Sequence, residues 1–174
     1  MIEWEDRPRW HKIIEIMLGS FLGIGLISYL TINTKMPLMV ASFGASAVLI
    51  YAIPKSPLAQ PKNVIGGQML SAIISCIIAK ILGVTWISIG VAVAMSIGLM
   101  MLTNTLHPPG GATAIIAVWT QQEIGFVINP ILLGSVAMIL IAKILALLFS
   151  KYIYEQGDKL IKGGRNHEDH HRGA

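Results

Sequence analysis

Five consecutive residues, His107-Pro108-Pro109-Gly110-Gly111, interrupt the apolar run that begins at Trp86, and a short apolar stretch over 112–120 follows at once. A Pro-Pro-Gly-Gly break at membrane depth frees backbone groups that lipid cannot satisfy. Such backbone is tolerated only where protein buries it or where it lines a wet cavity. A helix restarting at Pro109 or just beyond leaves its first-turn amides, roughly Gly110 to Thr113, without intrahelical partners. With the helix dipole these amides form an anion site. Thr105 and Thr113 add hydroxyl donors, and Gly110 and Gly111 leave room for close approach. His107 is the only histidine inside the apolar region. It can hold an anion when protonated, couple proton movement, or hold the kink through one hydrogen bond. The plainer alternative is a kink stitched up by neighbouring hydroxyls.

A second site of the same kind is suggested by Ser42, Gly44 and Ser46, which open another Gly-Ala-rich stretch. Asn104, Gln60, Asn63 and Gln68 read as polar liners, or as groups that satisfy backbone. Lys80 and Lys143 read as snorkelling side chains, or as cations that draw anions to each mouth. Glu15 reads as interfacial. The single Cys76 sits in an apolar run, so no disulfide framework exists and a packing role is expected. His167, Glu168, Asp169, His170 and His171 could hold a metal loosely, but a solvated tail is the expected reading. Inside the apolar region no metal-ligand cluster, acidic pair or activated nucleophile is present, so an enzyme is not expected. No cofactor and no metal are implied.

The elements that must position these residues are membrane helices. Of the 174 residues, 54% are apolar and 13% charged, about half the usual charged share. Between Ile13 and Phe149 the only Asp, Glu, Lys or Arg residues are Glu15, Lys35, Lys55, Lys62, Lys80, Glu123 and Lys143. A soluble helical protein needs charge on every exposed face, so lipid is the expected solvent. The formal charge of +4 is modest, and basic residues cluster at the ends, at Arg7, Arg9 and Lys12 and again at Lys151, Lys159, Lys162, Arg165 and Arg172. This places both ends in the cytoplasm and excludes a nucleic-acid reading. The polar start, Glu3-Trp4-Glu5-Asp6-Arg7-Pro8, is not expected to be a cleavable signal.

Apolar runs are predicted over 13–32, 38–53, 64–82, 86–106, 112–120 and 126–149. The link between the third and fourth is short, so they form an antiparallel hairpin. The loop over 54–63 carries three prolines, Pro54, Pro57 and Pro61, and cannot continue a helix. With its two prolines the fifth run is ~18 Å of helix, too short to span alone. Residues 44–49 resemble 111–116, and 77–82 resemble 140–145, at offsets of 67 and 63. An internal repeat of long helix, short Gly/Ala-rich helix, long helix is therefore expected. If the short helices cross, there are six crossings in inverted halves. If they are re-entrant, there are four. Lys55 and Lys62 favour a cytoplasmic loop and six crossings, an arrangement that also puts Trp10, Trp86 and Trp119 at interfaces. The expected organisation is a cytoplasmic segment over 1–12, a transmembrane domain over 13–150 and a cytoplasmic polar tail over 151–174. The fold class is all-α, a polytopic transmembrane bundle.

The stretches 106–114, 43–47 and 56–67 resemble the HPP family of integral membrane proteins, named for a His-Pro-Pro motif, in the family's own order. The resemblance covers nearly the whole apolar region. It implies a membrane domain usually described with four spans. Some members look like nitrite transporters, and some carry C-terminal CBS domains, which are not expected here. The leading expectation is thus a transporter or channel for a small monovalent anion, nitrite first. The anion would be bound at the helix start after His107-Pro108-Pro109, in a bacterial plasma (inner) membrane. The lipid bilayer and the anion are the implied partners, and self-association into a homo-oligomer is compatible with this. The alternative is a non-transporting membrane subunit or sensor that assembles with a partner protein.

Overall fold

The computed structural model describes residues 9–34 and 40–149. The N-terminal acidic segment, most of the break at 35–39 and the His-rich tail lie outside the described residues. Six helices follow: α1 (Arg9–Thr34), α2 (Ser42–Ala52), α3 (Pro61–Leu82), α4 (Trp86–Leu102), α5 (Pro109–Trp119) and α6 (Val127–Phe149). No strand occurs among the described residues. Three of the helices, α1, α3 and α6, are long and apolar enough to cross a bilayer by length and composition. The 17 residues of α4 give ~26 Å and the 11 of α5 only ~16 Å, against a hydrocarbon core of ~30 Å.

The helix ends are written in short-range chemistry. Pro61 opens α3 at a position where its missing N–H costs nothing, and Asn63 and Val64 donate their amides to the Gln60 carbonyl. The helix therefore starts three residues before the predicted run. Gly83, at φ +65, ends α3, and Thr85 and Ser88 cap α4 reciprocally in a capping box. This three-residue link turns α4 back antiparallel to α3. The predicted fourth run extends to 106, but α4 stops at Leu102. There Asn104 takes a left-handed conformation (φ 53), and the amides of Asn104 and Thr105 cap the Met101 and Met100 carbonyls. That is a Schellman closure with asparagine in place of glycine. Gln121 (φ 50) and Gln122 close α5 in the same way.

The central helix is α3, packed against α4, α5 and the start of α6. Its apolar span is 56% buried in protein, whereas that of α1 is 17% buried. The outward side chains of α1, including Met17, Phe21, Tyr29 and Ile32, present an apolar surface that suits lipid. One core cluster joins Ile27, Phe43, Ile50, Tyr51, Val64, Ile131 and Met138 across α1, α2, α3 and α6. The other joins Ile74, Ile78, Ala92, Ala114 and Val118 across α3, α4 and α5. The small residues Gly19 and Gly23 of α1 seat the Tyr51 ring. A Cβ at Gly19 would lie 2.6 Å from Tyr51 Cδ1, and one at Gly23 would overlap the Tyr51 hydroxyl. Tyr51 Oη in turn donates to the Met138 carbonyl at 3.1 Å, tying α2 to α6.

Candidate functional site

Two close approaches bring the helix break onto α3. A Cβ at Gly67 would stand 2.7 Å from both His107 Cβ and the Thr105 carbonyl oxygen. A Cβ at Gly110 would stand 2.7 Å from Ser71 Oγ and 3.0 Å from the Gly67 carbonyl oxygen. Glycine at both positions lets the α4–α5 link lie directly on α3. Asn63 Nδ2 donates to the Leu106 carbonyl at 3.0 Å and holds the residue before His107. His107 is thereby fully buried, 0% exposed.

Its ring joins four other buried side chains. Nδ1 lies 2.8 Å from the Leu58 carbonyl oxygen, in the 3-10 turn Pro57–Ala59, and Nε2 lies 2.8 Å from Ser46 Oγ. A carbonyl only accepts, so Nδ1 carries the hydrogen, Nε2 accepts, and the Ser46 hydroxyl donates to it. Gln68 Nε2 donates to Ser46 Oγ at 3.0 Å and to Ser42 Oγ at 3.5 Å. Thr113 Oγ1 donates to Gln68 Oε1 and lies 2.7 Å from Ser42 Oγ. Thr113 has one hydrogen, already given to the amide oxygen, so the Ser42 hydroxyl supplies the other bond. Every polar hydrogen of His107, Ser46, Gln68, Ser42 and Thr113 is then spent inside the cluster, with the imidazole neutral. The buried polar side chains among the described residues include no carboxylate, ammonium or guanidinium.

This arrangement corrects the expectation of free amides at the start of α5. Pro108 and Pro109 carry no N–H. Gly110 N donates to the His107 carbonyl at 2.9 Å and Gly111 N to the Pro108 carbonyl at 3.0 Å. The two prolines delete the donors that an ordinary helix start would offer, and a tight turn uses the next two. The polar capacity at the break resides in side chains instead.

The other expected site residues divide. Thr105 is buried beside the cluster, its hydroxyl 2.7 Å from that of Thr103 and its methyl against Gly66. Pro109 is buried, whereas Pro108 is exposed, and Gly111 is half-buried with open space beside it. Gly44 is exposed on α2, away from Ser42 and Ser46. Asn104 is exposed and serves the helix closure. Gln60 is exposed and ties its own loop, donating to the carbonyls of Pro54 and Ser56.

Some buried polar groups escaped the sequence reading. Ser71, Ser75, Ser88, Ser96 and Ser135 are all at most 1% exposed. Of these, Ser75, Ser96 and Ser135 have no hydrogen-bond partner for Oγ. The spacing of Gln68, Ser71 and Ser75 at i, i+3 and i+7 puts them on one helix face, a pattern legible beforehand. The Leu58 carbonyl left no such signal. Two hollows open elsewhere. A cavity of about 670 Å³ is lined by Cys76, Ala79 and Lys80 of α3 and by Gln121, Gln122 and Glu123 of the α5–α6 link. One of about 90 Å³ is lined by Glu15, Tyr51 and Pro54, among others.

Comparison with known proteins adds a family. The family described as HPP, transmembrane region, matches residues 5–154. A transmembrane protein of Dictyostelium discoideum is 43% identical over 153 residues, covering 79% of this chain and 54% of the relative. A second transmembrane protein of that organism is 39% identical over 139 residues, covering 73% of this chain and 45% of the relative. The chain thus spans about half the length of the curated relatives it matches. No solved structure matches it.

Proposed function

Since the chain belongs to the HPP transmembrane family, and is an integral membrane protein, we propose that it carries a small monovalent anion across its membrane, nitrite being the substrate to test first. The observation that carries this reading is the cluster of His107, Ser46, Gln68, Ser42 and Thr113. Five fully buried polar side chains from four chain segments meet where α5 restarts beside α2, two helices too short to cross alone. Polar groups are costly at membrane depth, and an ionisable one, here His107, is a functional candidate by default. The cluster offers amide, hydroxyl and imidazole hydrogens and no carboxylate, a lining that favours an anion over a cation.

In the closed state these hydrogens are turned onto one another. An arriving anion takes them over: Gln68 Nε2 and the hydroxyls of Ser46 and Thr113 swing from their internal acceptors to the solute. The neutral cluster pays little to re-form once the solute leaves. The order of the helices suits two inverted halves, with short helices α2 and α5 meeting at the midplane and both ends cytoplasmic. The plasma membrane is the proposed location. Purified protein in liposomes should take up nitrite faster than empty vesicles under at least one direction of pH gradient. Uptake equal to empty vesicles under both gradients removes the reading.

One observation favours a non-transporting subunit or sensor: the cluster is complete without a solute, and neither hollow described above is lined by His107. The network would then be a latch holding α2, α3 and α5. The same vesicle measurement separates the two readings.

A further inference from the structure

The far end of α3 holds a second polar feature. The 22 residues of α3 span ~33 Å, so its two ends face opposite sides of the membrane. Gln68 stands near the Pro61 end, and the 670 Å³ cavity lies near the other, between Cys76 and Lys80. Two of the seven charged residues between Ile13 and Phe149, Lys80 and Glu123, line that cavity together with the amides of Gln121 and Gln122. These four polar side chains, set among Ile77, Ala79 and Ile124, give the wall groups that can hold water.

One face of α3 joins the two features. Gln68, Ser71, Ser75 and Ala79 follow at i, i+3, i+7 and i+11, and all four are buried. Gln68 belongs to the His107 cluster and Ala79 to the cavity wall, ~16 Å apart along the helix. Across from this face runs α4, in register through Met100, whose sulfur lies 4.0 Å from Ser71 Oγ. One turn back along the antiparallel α4, Ser96 stands level with Ser75. Both hydroxyls are 0% exposed and have no partner. Elsewhere in this chain Thr31, Thr103 and Thr120 satisfy theirs on the carbonyl four residues earlier. Ser75 and Ser96 do not use that outlet, so two buried donors at one level await an acceptor.

We propose that the cavity is the hydrated vestibule of the transport path on the side opposite the α3 N-terminus, and that Ser75 and Ser96 hold the hydrogen-bond-accepting solute between vestibule and His107 cluster. This rests on the transport reading. The hollow ends at Cys76 and Ala79, which makes the Ser75–Ser96 level the constriction.

Lys80 lines the vestibule and is exposed, whereas the single cysteine, Cys76, is buried and donates its thiol to the Glu123 carbonyl at 3.4 Å. Lys80→Cys in a Cys76→Ala background therefore supplies the probe. In vesicles taking up nitrite, a charged, membrane-impermeant methanethiosulfonate should modify the thiol of the Lys80→Cys variant and block uptake. Ser75→Ala and Ser96→Ala should keep the wild-type thermal midpoint yet slow uptake about five-fold each, the rate equivalent of one lost hydrogen bond. Uptake by that variant that persists with its thiol unreactive, or with its thiol modified, overturns the vestibule. Uptake unchanged in the Ser75→Ala/Ser96→Ala double variant overturns the constriction. A wild-type protein that carries no nitrite instead brings down the transport reading, and this inference with it.

Discussion

Replacing His107 with alanine removes a side chain that hydrogen-bonds both the Pro57–Ala59 turn and α2. Two hydrogen bonds are lost, to the Leu58 carbonyl and to the Ser46 hydroxyl, both at 2.8 Å. Side-chain hydrogen bonds within membrane bundles average about 0.6 kcal/mol and reach about 1.7. The Leu58 carbonyl belongs to a turn rather than a long helix, so its loss falls at the upper end. The ring also leaves a void of roughly 60 Å³, worth up to ~1.4 kcal/mol at ~24 cal/mol per Å³ when nothing collapses into it. A destabilisation of about 3 kcal/mol is expected. At ~2–4 °C per kcal/mol for a chain of this size, the thermal midpoint in detergent should fall by about 10 °C. His107→Asn can place an amide N–H where Nδ1 stood, keeping the Leu58 bond, and should recover about half of that loss. Crossing His107→Ala with Ser46→Ala should show a coupling near 0.6 kcal/mol, measured as non-additive midpoints. An alanine variant within about 2 °C of wild type would refute the claim that this network holds the break to the bundle. Equal losses for alanine and asparagine would refute the tautomer assigned to the ring.

Gly67→Ala and Gly110→Ala each put a methyl within 2.7 Å of the apposed segment, partly against backbone. Each should cost about 1–3 kcal/mol and lower the detergent-solubilised yield by size-exclusion chromatography. Gly111→Ala meets open space and should be neutral or gain up to ~1 kcal/mol from helix propensity. Tyr51→Phe loses the bond to the Met138 carbonyl and should lower the thermal midpoint by a few degrees, about 1 kcal/mol, with uptake unchanged. In a Cys76→Ala background, Ser56→Cys should react with an impermeant thiol reagent only from the cytoplasmic side, if the 54–63 loop is internal and the chain crosses six times. Reaction from the outside alone would establish the four-crossing arrangement.

Much of this molecule was legible before its coordinates. The scarcity of charge between Ile13 and Phe149 determined the solvent, because a helix without charged faces has no soluble packing partner. Proline and glycine marked the breaks between helices, because their backbone limits are local, although α3 begins at Pro61, inside the stretch read as loop, and α4 stops at Leu102, short of the predicted 106. The His-Pro-Pro break was legible for the same reason. Only the tertiary structure decided what that break does with its hydrogen bonds. Residues 110–113 read as free donors when considered alone, since a sequence does not record that Gly110 and Gly111 turn back onto His107 and Pro108. It likewise does not record that a carbonyl 49 residues away sets the histidine tautomer, or that Gln68 reaches α2 and α5 at once. Helix ends depend on neighbours in the chain, whereas hydrogen-bond partners in a bundle depend on which faces meet. That meeting is set by packing volume, here by the missing Cβ atoms of Gly67 and Gly110, and not by any local preference.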